Sequence, residues 1–247
     1  MGAGRQDVNV SVTGGTRIEI KGVPRIPKIP MLVYNEAMRQ CSLLRIRDLL
    51  TDYCGVCLSD DHRSRLGRVL VGRLRDVGLT DVADYVKMLE ASGSEEELAR
   101  LVDEITNNET YFFREEFQLD AFAEEILPEL VERGRRRRRL NIWSAGCSSG
   151  EEPLTIAMLV RSSPLWEKYL SHWEVRILGT DVSRHMIRAC REGAYPASSF
   201  KALDKTRRSV IQQRFFEPAG ERFVPKPALR QMISHLHLNL LDEEGTS

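Results

Sequence analysis

The stretch LNIWSAGCSSGEEPLTIA, Leu140–Ala157, decides the fold of this chain. It begins with an apolar run typical of a β-strand, continues into the small-residue turn Gly146–Gly150, and ends in an apolar pattern at helical spacing. A glycine turn lets the backbone pass close to a ligand, because glycine has no side chain and tolerates unusual backbone angles. The stretch therefore predicts an α/β unit whose turn is either a ligand site or an ordinary strand-to-helix connection.

A second predicted strand favours one kind of ligand. Glu174–Asp181 (EVRILGTD) ends in a carboxylate, and Ser183 is in position to cap the following helix. A carboxylate at the end of the strand after a glycine turn is where α/β nucleotide sites bind ribose hydroxyls, although Asp181 is alternatively a simple turn residue. The two features together favour an adenosine-type ligand.

The composition limits the class of protein. With 247 residues, 42% hydrophobic and 29% charged, the chain has the balance of a globular protein with one or two domains. No apolar run approaches the roughly 18 residues that span a bilayer, and the N-terminus has no signal-peptide pattern, so we predict a cytoplasmic protein without membrane insertion. The formal net charge is zero, so electrostatic attraction to a partner must come from local patches.

The cysteines do not indicate a disulfide framework. They are five in number and scattered, which suits reduced thiols. Cys54 and Cys57 form one CxxC near His62, but no second CxxC completes a tetrahedral set. We therefore predict a buried helix face and no metal site.

The first part of the chain is predicted to be helical after a tail. Residues 1–31 are expected to be disordered, because the prolines of VPRIPKIP favour an extended segment. Helical spacing then predicts four helices over residues 32–106, the third beginning at Asp81. The fourth follows Ser94 and Glu97, which match a capping box.

The second predicted helix carries a basic face. Arg65, Arg68 and Arg75 fall together opposite its apolar stripe. Such a face is either solvated or docks on an acidic partner. Arg73 falls on the apolar side, so we expect it to snorkel or to find an acidic partner.

Two further segments leave alternatives open. In TNNETYFFREEF, residues 106–117, Arg114 lies beside two phenylalanines and is suited to hold a carboxylate, but the segment also suits a packed interdomain hinge. A run of arginines such as Arg135–Arg139 can bind nucleic acid or acidic surfaces. It has no interleaved aromatic residues, so we favour a solvated loop and predict no nucleic-acid partner.

Four motifs together carry a family resemblance: NNETYFFR (Asn107–Arg114), WSAGCSSGEEP (Trp143–Pro153), GTD (Gly179–Asp181) and NLL (Asn239–Leu241). In this order they resemble the motifs of CheR-type chemotaxis receptor methyltransferases, from about Leu32 to the C-terminus. The resemblance implies an α/β protein: a helical receptor-docking domain (32–106), then a doubly wound S-adenosylmethionine-dependent methyltransferase domain (107–247). A small antiparallel β subdomain is expected over residues 193–230, where the sequence suggests a hairpin around Pro218–Gly220.

The resemblance also implies an activity. The family methylates glutamate side chains on the cytoplasmic helices of chemoreceptors, with S-adenosylmethionine as cofactor and S-adenosylhomocysteine as product. Because a glutamate carboxylate, with a pKa of about 4.3, is already an anion at neutral pH, no general base is required. Catalysis then rests on alignment and exclusion of water.

Carried over by position, the implied site residues fall into two groups. Arg114 has a catalytic role, and the basic face of Arg65, Arg68 and Arg75 matches the family's receptor-docking helix. The residues implied to contact the cofactor are Asn108, Thr110, Arg114, Glu151, Glu152, Asp181, Asn239 and Leu240.

The sequence departs from the family pattern in two places. The turn EPAGER is shorter than the glycine-rich loop of members that grip a C-terminal receptor pentapeptide, so we expect no dependence on such a peptide. Little sequence follows the third predicted strand, His235–Leu241, so we expect the later strands of the sheet to be missing and the activity to be doubtful. The alternative function is a non-catalytic module that docks on receptors or binds the cofactor.

Overall fold

A computed structural model describes residues 6–13, 15, 17–23, 28–56, 60–162, 166 and 169–242. The chain divides into two compact units, Met1–Thr106 and Asn107–Ser247. None of the helices within the described ranges has the length and apolar character needed to cross a lipid bilayer.

The described part of the first unit contains the helices α1 (Ile29–Cys54), α2 (Asp60–Asp76), α3 (Val82–Glu90) and α4 (Glu95–Ile105). The four predicted helices are thus confirmed. Asp81 starts α3 as expected, because its carboxylate accepts a hydrogen bond from the Ala83 N–H at 2.6 Å. Their apolar faces meet in a core that includes Ile46, Leu50, Leu66, Leu70, Tyr85, Leu89 and Leu101.

The prediction of a disordered tail is wrong for the described residues before Leu32. Strands β1 (Gln6–Val10) and β2 (Ile18–Val23) pair antiparallel, with Val10 opposite Ile18. A lone hairpin is marginally stable, but β1 packs against α1 and Val10 is buried there. In the proline segment, residues 24–27 lie outside the described residues. Pro30 lies in the first turn of α1, where its missing N–H costs nothing.

The described part of the second unit alternates helices and strands. In chain order its elements are α5 (Glu116–Ala121), a π-helical turn (Phe122–Ile126), α6 (Leu127–Gly134), β3 (Arg139–Ala145), α7 (Glu151–Ser162), β4 (Glu174–Asp181), α8 (Arg184–Glu192), β5 (Tyr195–Pro196), α9 (Lys205–Phe215), β6 (Phe216–Ala219), β7 (Arg222–Pro225), α10 (Pro227–Arg230) and β8 (Ile233–His237).

A parallel sheet of order β3-β4-β8 forms the centre of this unit. Ala145 lies opposite Thr180, and Asp181 lies opposite His237. The carboxyl ends of the three strands therefore meet at one edge of the sheet, where the turn Gly146–Gly150 leads from β3 into α7. This arrangement confirms the predicted α/β class.

The predicted antiparallel subdomain is also present. Strands β5, β7 and β6 form a separate sheet, with Ala219 opposite Arg222 across a turn in which Gly220 has a φ of 63°. Its aromatic core includes Phe200, whose ring centroid lies 5.1 Å from that of Phe216. Phe112 joins the same core, 4.7 Å from Phe200. Phe112 thereby anchors the segment NNETYFFR to the second unit.

Candidate functional site

The turn between β3 and α7 is held by β4. The N–H groups of Gly146 and Cys147 both donate to the Thr180 carbonyl, at 2.8 and 2.9 Å. Gly146 has a φ of 74°, and a Cβ at this position would meet no atom within 4 Å. A Cβ on Gly150, with a φ of 95°, would lie 3.0 Å from the Tyr195 hydroxyl. The open side of the turn is therefore free for a ligand, while its rear is closely packed.

Asp181 stabilises the turn from the end of β4. Its two carboxylate oxygens accept hydrogen bonds from the N–H groups of Ser148 and Ser183, each at 2.8 Å. The Ser183 hydroxyl accepts from the Met186 N–H at 3.1 Å, which confirms the predicted cap of α8. Each carboxylate oxygen has two lone pairs, so Asp181 retains capacity for a ligand hydroxyl.

The neighbouring glutamates of α7 lie in different environments. Glu151 is buried and accepts from the hydroxyls of Ser149, at 2.6 Å, and Ser199, at 2.9 Å. Glu152 accepts from the Ser144 hydroxyl at 2.6 Å. Glu151 ties the turn to the segment that precedes α9, while Glu152 faces the open side of the turn.

A hydrogen bond from the backbone of the segment NNETYFFR to a side chain of α7 joins the two. The Phe113 N–H donates to Thr155 Oγ1 at 3.2 Å. The Arg114 guanidinium donates to the Glu109 carbonyl at 2.5 Å and lies 5.9 Å from the centroid of the Tyr111 ring. Lys201 lies 4.4 Å from the same centroid and donates to the Glu109 carboxylate at 2.7 Å, which lowers the pKa of Glu109.

A cleft of about 130 Å³ lies between this segment and the turn. It brings together three of the predicted site residues, Thr110, Arg114 and Glu152, although they come from two separate motifs. The residues that line it are Asn107, Glu109, Thr110, Tyr111, Arg114, Leu119, Gly146, Cys147, Ser148, Glu152 and Thr155.

The other predicted cofactor residues do not line this cleft. Asn108 is half-buried and lies between the lining residues Asn107 and Glu109 in the sequence, and Glu151 faces inward. Asp181 contacts the turn through Ser148. Asn239 is buried just after β8, where its side-chain oxygen accepts from the Leu241 N–H at 3.2 Å, and Leu240 is exposed. Asn239 and Leu240 thus lie at the same sheet edge as Asp181, beyond the cleft.

Sequence reasoning missed six lining residues with functional groups: Asn107, Glu109, Tyr111, Cys147, Ser148 and Thr155. Thr155 could have been found from helical spacing, because it is three residues after Glu152 and so lies on the same side of α7. The contact of Tyr111 could not have been found in this way, because its cationic neighbour Lys201 is distant in sequence.

The basic face of α2 lies in the first unit. Arg65 is half-buried, and Arg68 and Arg75 are exposed. None of the three forms an ion pair with a residue whose side chain the structure describes. Arg73, in contrast, is buried and paired with Glu97 at 2.6 Å, which confirms the expectation of an acidic partner.

The cysteines show no metal cluster in the described part of the chain, where no three histidine, cysteine or acidic side chains converge. Cys57 of the CxxC lies outside the described residues. Cys147 and Cys190 are buried free thiols. Cys190 donates to the Ser148 carbonyl at 3.0 Å, and the adjacent Cys147 thiol together with burial raises the pKa of Cys190. A raised pKa keeps this thiol protonated and able to donate.

Two family models match the chain. Residues 108–247 match the S-adenosylmethionine-binding domain of CheR methyltransferases, and residues 42–106 match the all-alpha domain of the same family. The chain belongs to the CheR methyltransferase family. It is accordingly a methyltransferase of chemotaxis, with S-adenosylmethionine as the methyl donor.

Named relatives agree with this membership. The chemotaxis protein methyltransferase of Borreliella burgdorferi is 33% identical over 208 residues, which cover 82% of this chain and 70% of the relative. Chemotaxis protein methyltransferase 1 of Pseudomonas aeruginosa is 30% identical, with 79% of this chain and 70% of the relative covered. The corresponding protein of Salmonella typhimurium is 29% identical, with 84% and 68% covered.

Proposed function

We propose that this CheR-family chain methylates glutamate side chains on the cytoplasmic helices of chemoreceptors, forming glutamate methyl esters. The names of its relatives support a chemotaxis substrate. The observation that carries the proposal is the cleft beside the glycine turn, which both Arg114 and Glu152 line. Opposite charges on one cleft suit the two charged ends of an amino acid.

The cleft fits the methionine end of S-adenosylmethionine. Glu152 would accept from its ammonium group and Arg114 would donate to its carboxylate, while the missing Cβ of Gly146 leaves room for the backbone to approach. The volume of about 130 Å³ lies below the roughly 300–1,000 Å³ of sites that enclose a drug-sized ligand. We therefore assign the ribose and base to the sheet edge with Asp181 and Asn239.

For methyl transfer, the main tasks of the protein are to bind the cofactor and the acceptor and to orient them. S-adenosylmethionine supplies an electrophilic methyl group on a sulfonium, and the acceptor glutamate is already an anion at neutral pH. Arg114 has five N–H donors. One is used by the Glu109 carbonyl and the Arg114 Nε lies 3.8 Å from the Glu115 carboxylate, so others remain to align carboxylates. Tyr111 and Leu119 line the cleft and would limit access of water.

Methyl transfer to matched receptor fragments tests this function. Label from S-adenosyl[methyl-³H]methionine should enter a fragment with glutamate at its methylation sites, should be released as methanol by base, and should not enter the glutamine version. Arg114→Lys should lower kcat/KM about 10²-fold, because Lys cannot replace two-pronged alignment. Arg133→Gln, an exposed arginine of α6, is the control. Equal labelling of the glutamine fragment would contradict the proposal.

We further infer that the basic face of α2, Arg65, Arg68 and Arg75, docks on the receptor helices. Its arginines lack acidic partners among the described side chains, whereas Arg73 of the same helix is neutralised. A group of guanidiniums without partners among the described side chains suits an acidic helical surface.

A C-terminal receptor pentapeptide is not required in this proposal. The β6–β7 turn consists of Gly220 and Glu221, between the paired residues Ala219 and Arg222, and offers little surface to grip a peptide. A free pentapeptide ending in an aromatic residue should give no measurable heat of binding in calorimetry. Micromolar affinity would show that the subdomain binds such peptides despite its short turn.

A further inference from the structure

A second cavity of about 130 Å³ lies in the second unit and shares no lining residue with the cleft. Its walls come from α7, the end of α8, β5, β7, α10 and β8. The lining residues are Leu154, Cys190, Arg191, Gly193, Tyr195, Pro225, Arg230, Ile233 and His235. The set contains two arginines and a histidine but no carboxylate.

The two arginines of this cavity are available to a ligand. Arg191 and Arg230 are both exposed, and neither forms an ion pair or a side-chain hydrogen bond within the described part of the chain. Elsewhere in the same unit exposed arginines do find carboxylates, as Arg139 does with Glu174 at 2.7 Å. Two guanidiniums of like charge on one cavity, with no acidic side chain between them, favour an anion there.

Some of the polar groups deeper in the cavity have hydrogen-bond partners and one does not. The Tyr195 hydroxyl donates to the Ser149 carbonyl at 3.0 Å, and the Cys190 thiol donates to the Ser148 carbonyl at 3.0 Å. His235 Nε2 is buried and has no hydrogen-bond partner among the described residues. A buried polar nitrogen without a partner is costly, and an acceptor atom in the cavity would remove that cost when the imidazole carries a proton on Nε2.

We propose that this cavity binds a small anionic ligand through a phosphate or carboxylate group, held between Arg191 and Arg230 with His235 Nε2 at its inner end. Guanidinium groups bind both kinds of oxyanion in a two-pronged geometry. Leu154, Ile233 and Pro225 supply an apolar wall for the rest of the ligand.

Occupancy of this anion site would act on the rear of the glycine turn. Tyr195 and Cys190 line the site and also bind the carbonyls of Ser149 and Ser148. A ligand that orders these two side chains would stabilise the turn from the side opposite the cleft. This anion site is inferred from its own lining residues, and the identity of the methyl acceptor plays no part in that inference.

The test is a titration of the full chain with inorganic phosphate and, separately, with acetate, at constant ionic strength kept with chloride. The ring signals of selectively labelled histidines are followed by NMR, and His235→Gln identifies the signal of His235. We expect a saturable shift of that signal with phosphate or acetate, and the arm with the tighter dissociation constant identifies the preferred group. Chloride alone should give no saturable shift.

Arginine variants connect the shift to the site. Arg191→Gln and Arg230→Gln should each weaken binding about tenfold, the usual effect of losing one charge-assisted hydrogen bond. Arg188→Gln, an exposed arginine one turn earlier on α8 that does not line the cavity, should bind as the wild type does. Absence of a saturable shift in both arms, or unchanged affinity in both lining variants, would overturn the proposal.

Discussion

Glu151 and Glu152 point in different directions because successive side chains on a helix are about 100° apart. Glu151 accepts from the hydroxyls of Ser149 and Ser199 in the interior, whereas Glu152 lines the cleft. The charge of Glu152 is therefore available to a ligand, and that of Glu151 is used in holding the turn.

This difference predicts opposite effects of two substitutions. Glu151→Ala should lower the free energy of unfolding by about 1–3 kcal/mol, because two buried hydroxyls lose their acceptor. Glu152→Gln keeps an acceptor for Ser144, so unfolding should change by less than about 0.5 kcal/mol while affinity for S-adenosylhomocysteine falls about tenfold. Urea unfolding and calorimetry measure the two quantities. Loss of affinity without loss of stability in Glu151→Ala would contradict the assignment.

Asp181 combines a structural role with the proposed ribose contact. Asp181→Ala removes the acceptor of two backbone N–H groups, and it should weaken S-adenosylhomocysteine binding by about one to two orders of magnitude. Asp204→Ala is the matched control: Asp204 also accepts from two backbone N–H groups, those of Thr206 and Arg207, but it caps α9, whereas Asp181 lies at the carboxyl end of β4. The control should lose stability and keep its affinity. Equal loss of affinity in both would mean that Asp181 acts only through stability.

At the scale of elements, α2 and α4 are joined by one buried cation. Arg73 donates twice to Glu97, at 2.9 and 2.6 Å, and Tyr85 donates to the same carboxylate at 2.7 Å. The hydrogen bonds of Glu97 raise the pKa of Arg73, and burial raises that of Tyr85. The predicted capping box is wrong, because the Ser94 hydroxyl donates instead to the Leu89 carbonyl and Glu97 is engaged with Arg73.

Breaking this pair from one side should be costly. Glu97→Ala should lower the free energy of unfolding by about 3–5 kcal/mol, because it leaves the buried Arg73 charge without its main partner. The double variant Arg73→Met/Glu97→Ala should recover much of that loss. Glu96→Ala, which removes only an exposed pair with Arg100, should change stability by less than about 0.5 kcal/mol. A double variant no more stable than Glu97→Ala would contradict the argument.

These elements show what local sequence can and cannot indicate. The strand, turn and helix around Gly146–Gly150 and the cap at Ser183 were predictable, because short-range periodicity and capping chemistry determine them. The pairing of Arg73 with Glu97, the hairpin β1–β2 and the Lys201 contact with Tyr111 were not. The pairing of Arg73 with Glu97 and the Lys201 contact join residues far apart in the chain, and the hairpin depends on packing of β1 against α1, so only the folded structure brings these groups together.

At the scale of the whole molecule, positive and negative charges are equal in number, 36 of each. Long-range attraction to an acidic receptor then has to come from a local surface, and the basic face of α2 is the candidate. Arg135 and Arg139, in the arginine run, pair with Glu132 and Glu174. That run is therefore partly neutralised.

Receptor binding should accordingly depend on salt through α2. Arg68→Glu/Arg75→Glu should weaken binding to a receptor fragment and flatten the dependence of its affinity on salt between about 0.05 and 0.3 M, where screening shortens the Debye length. Arg100→Glu, on the exposed face of α4, is the control. If binding by the double variant kept its salt dependence, the receptor would have to dock on a surface other than the basic face of α2.

The rear packing of the glycine turn has a consequence for biosynthesis. Ser148 is held by Asp181 and Cys190, Ser149 by Tyr195, and Gly150 lies against His235. A nascent chain that has emerged from the ribosome as far as α7 contains the turn but none of these partners. The turn therefore lacks the full set of its hydrogen-bond partners until Tyr195 has been translated, so we expect a ribosome-bound chain arrested before Tyr195 to be unable to retain S-adenosylhomocysteine, even though every residue lining the cleft has already been made.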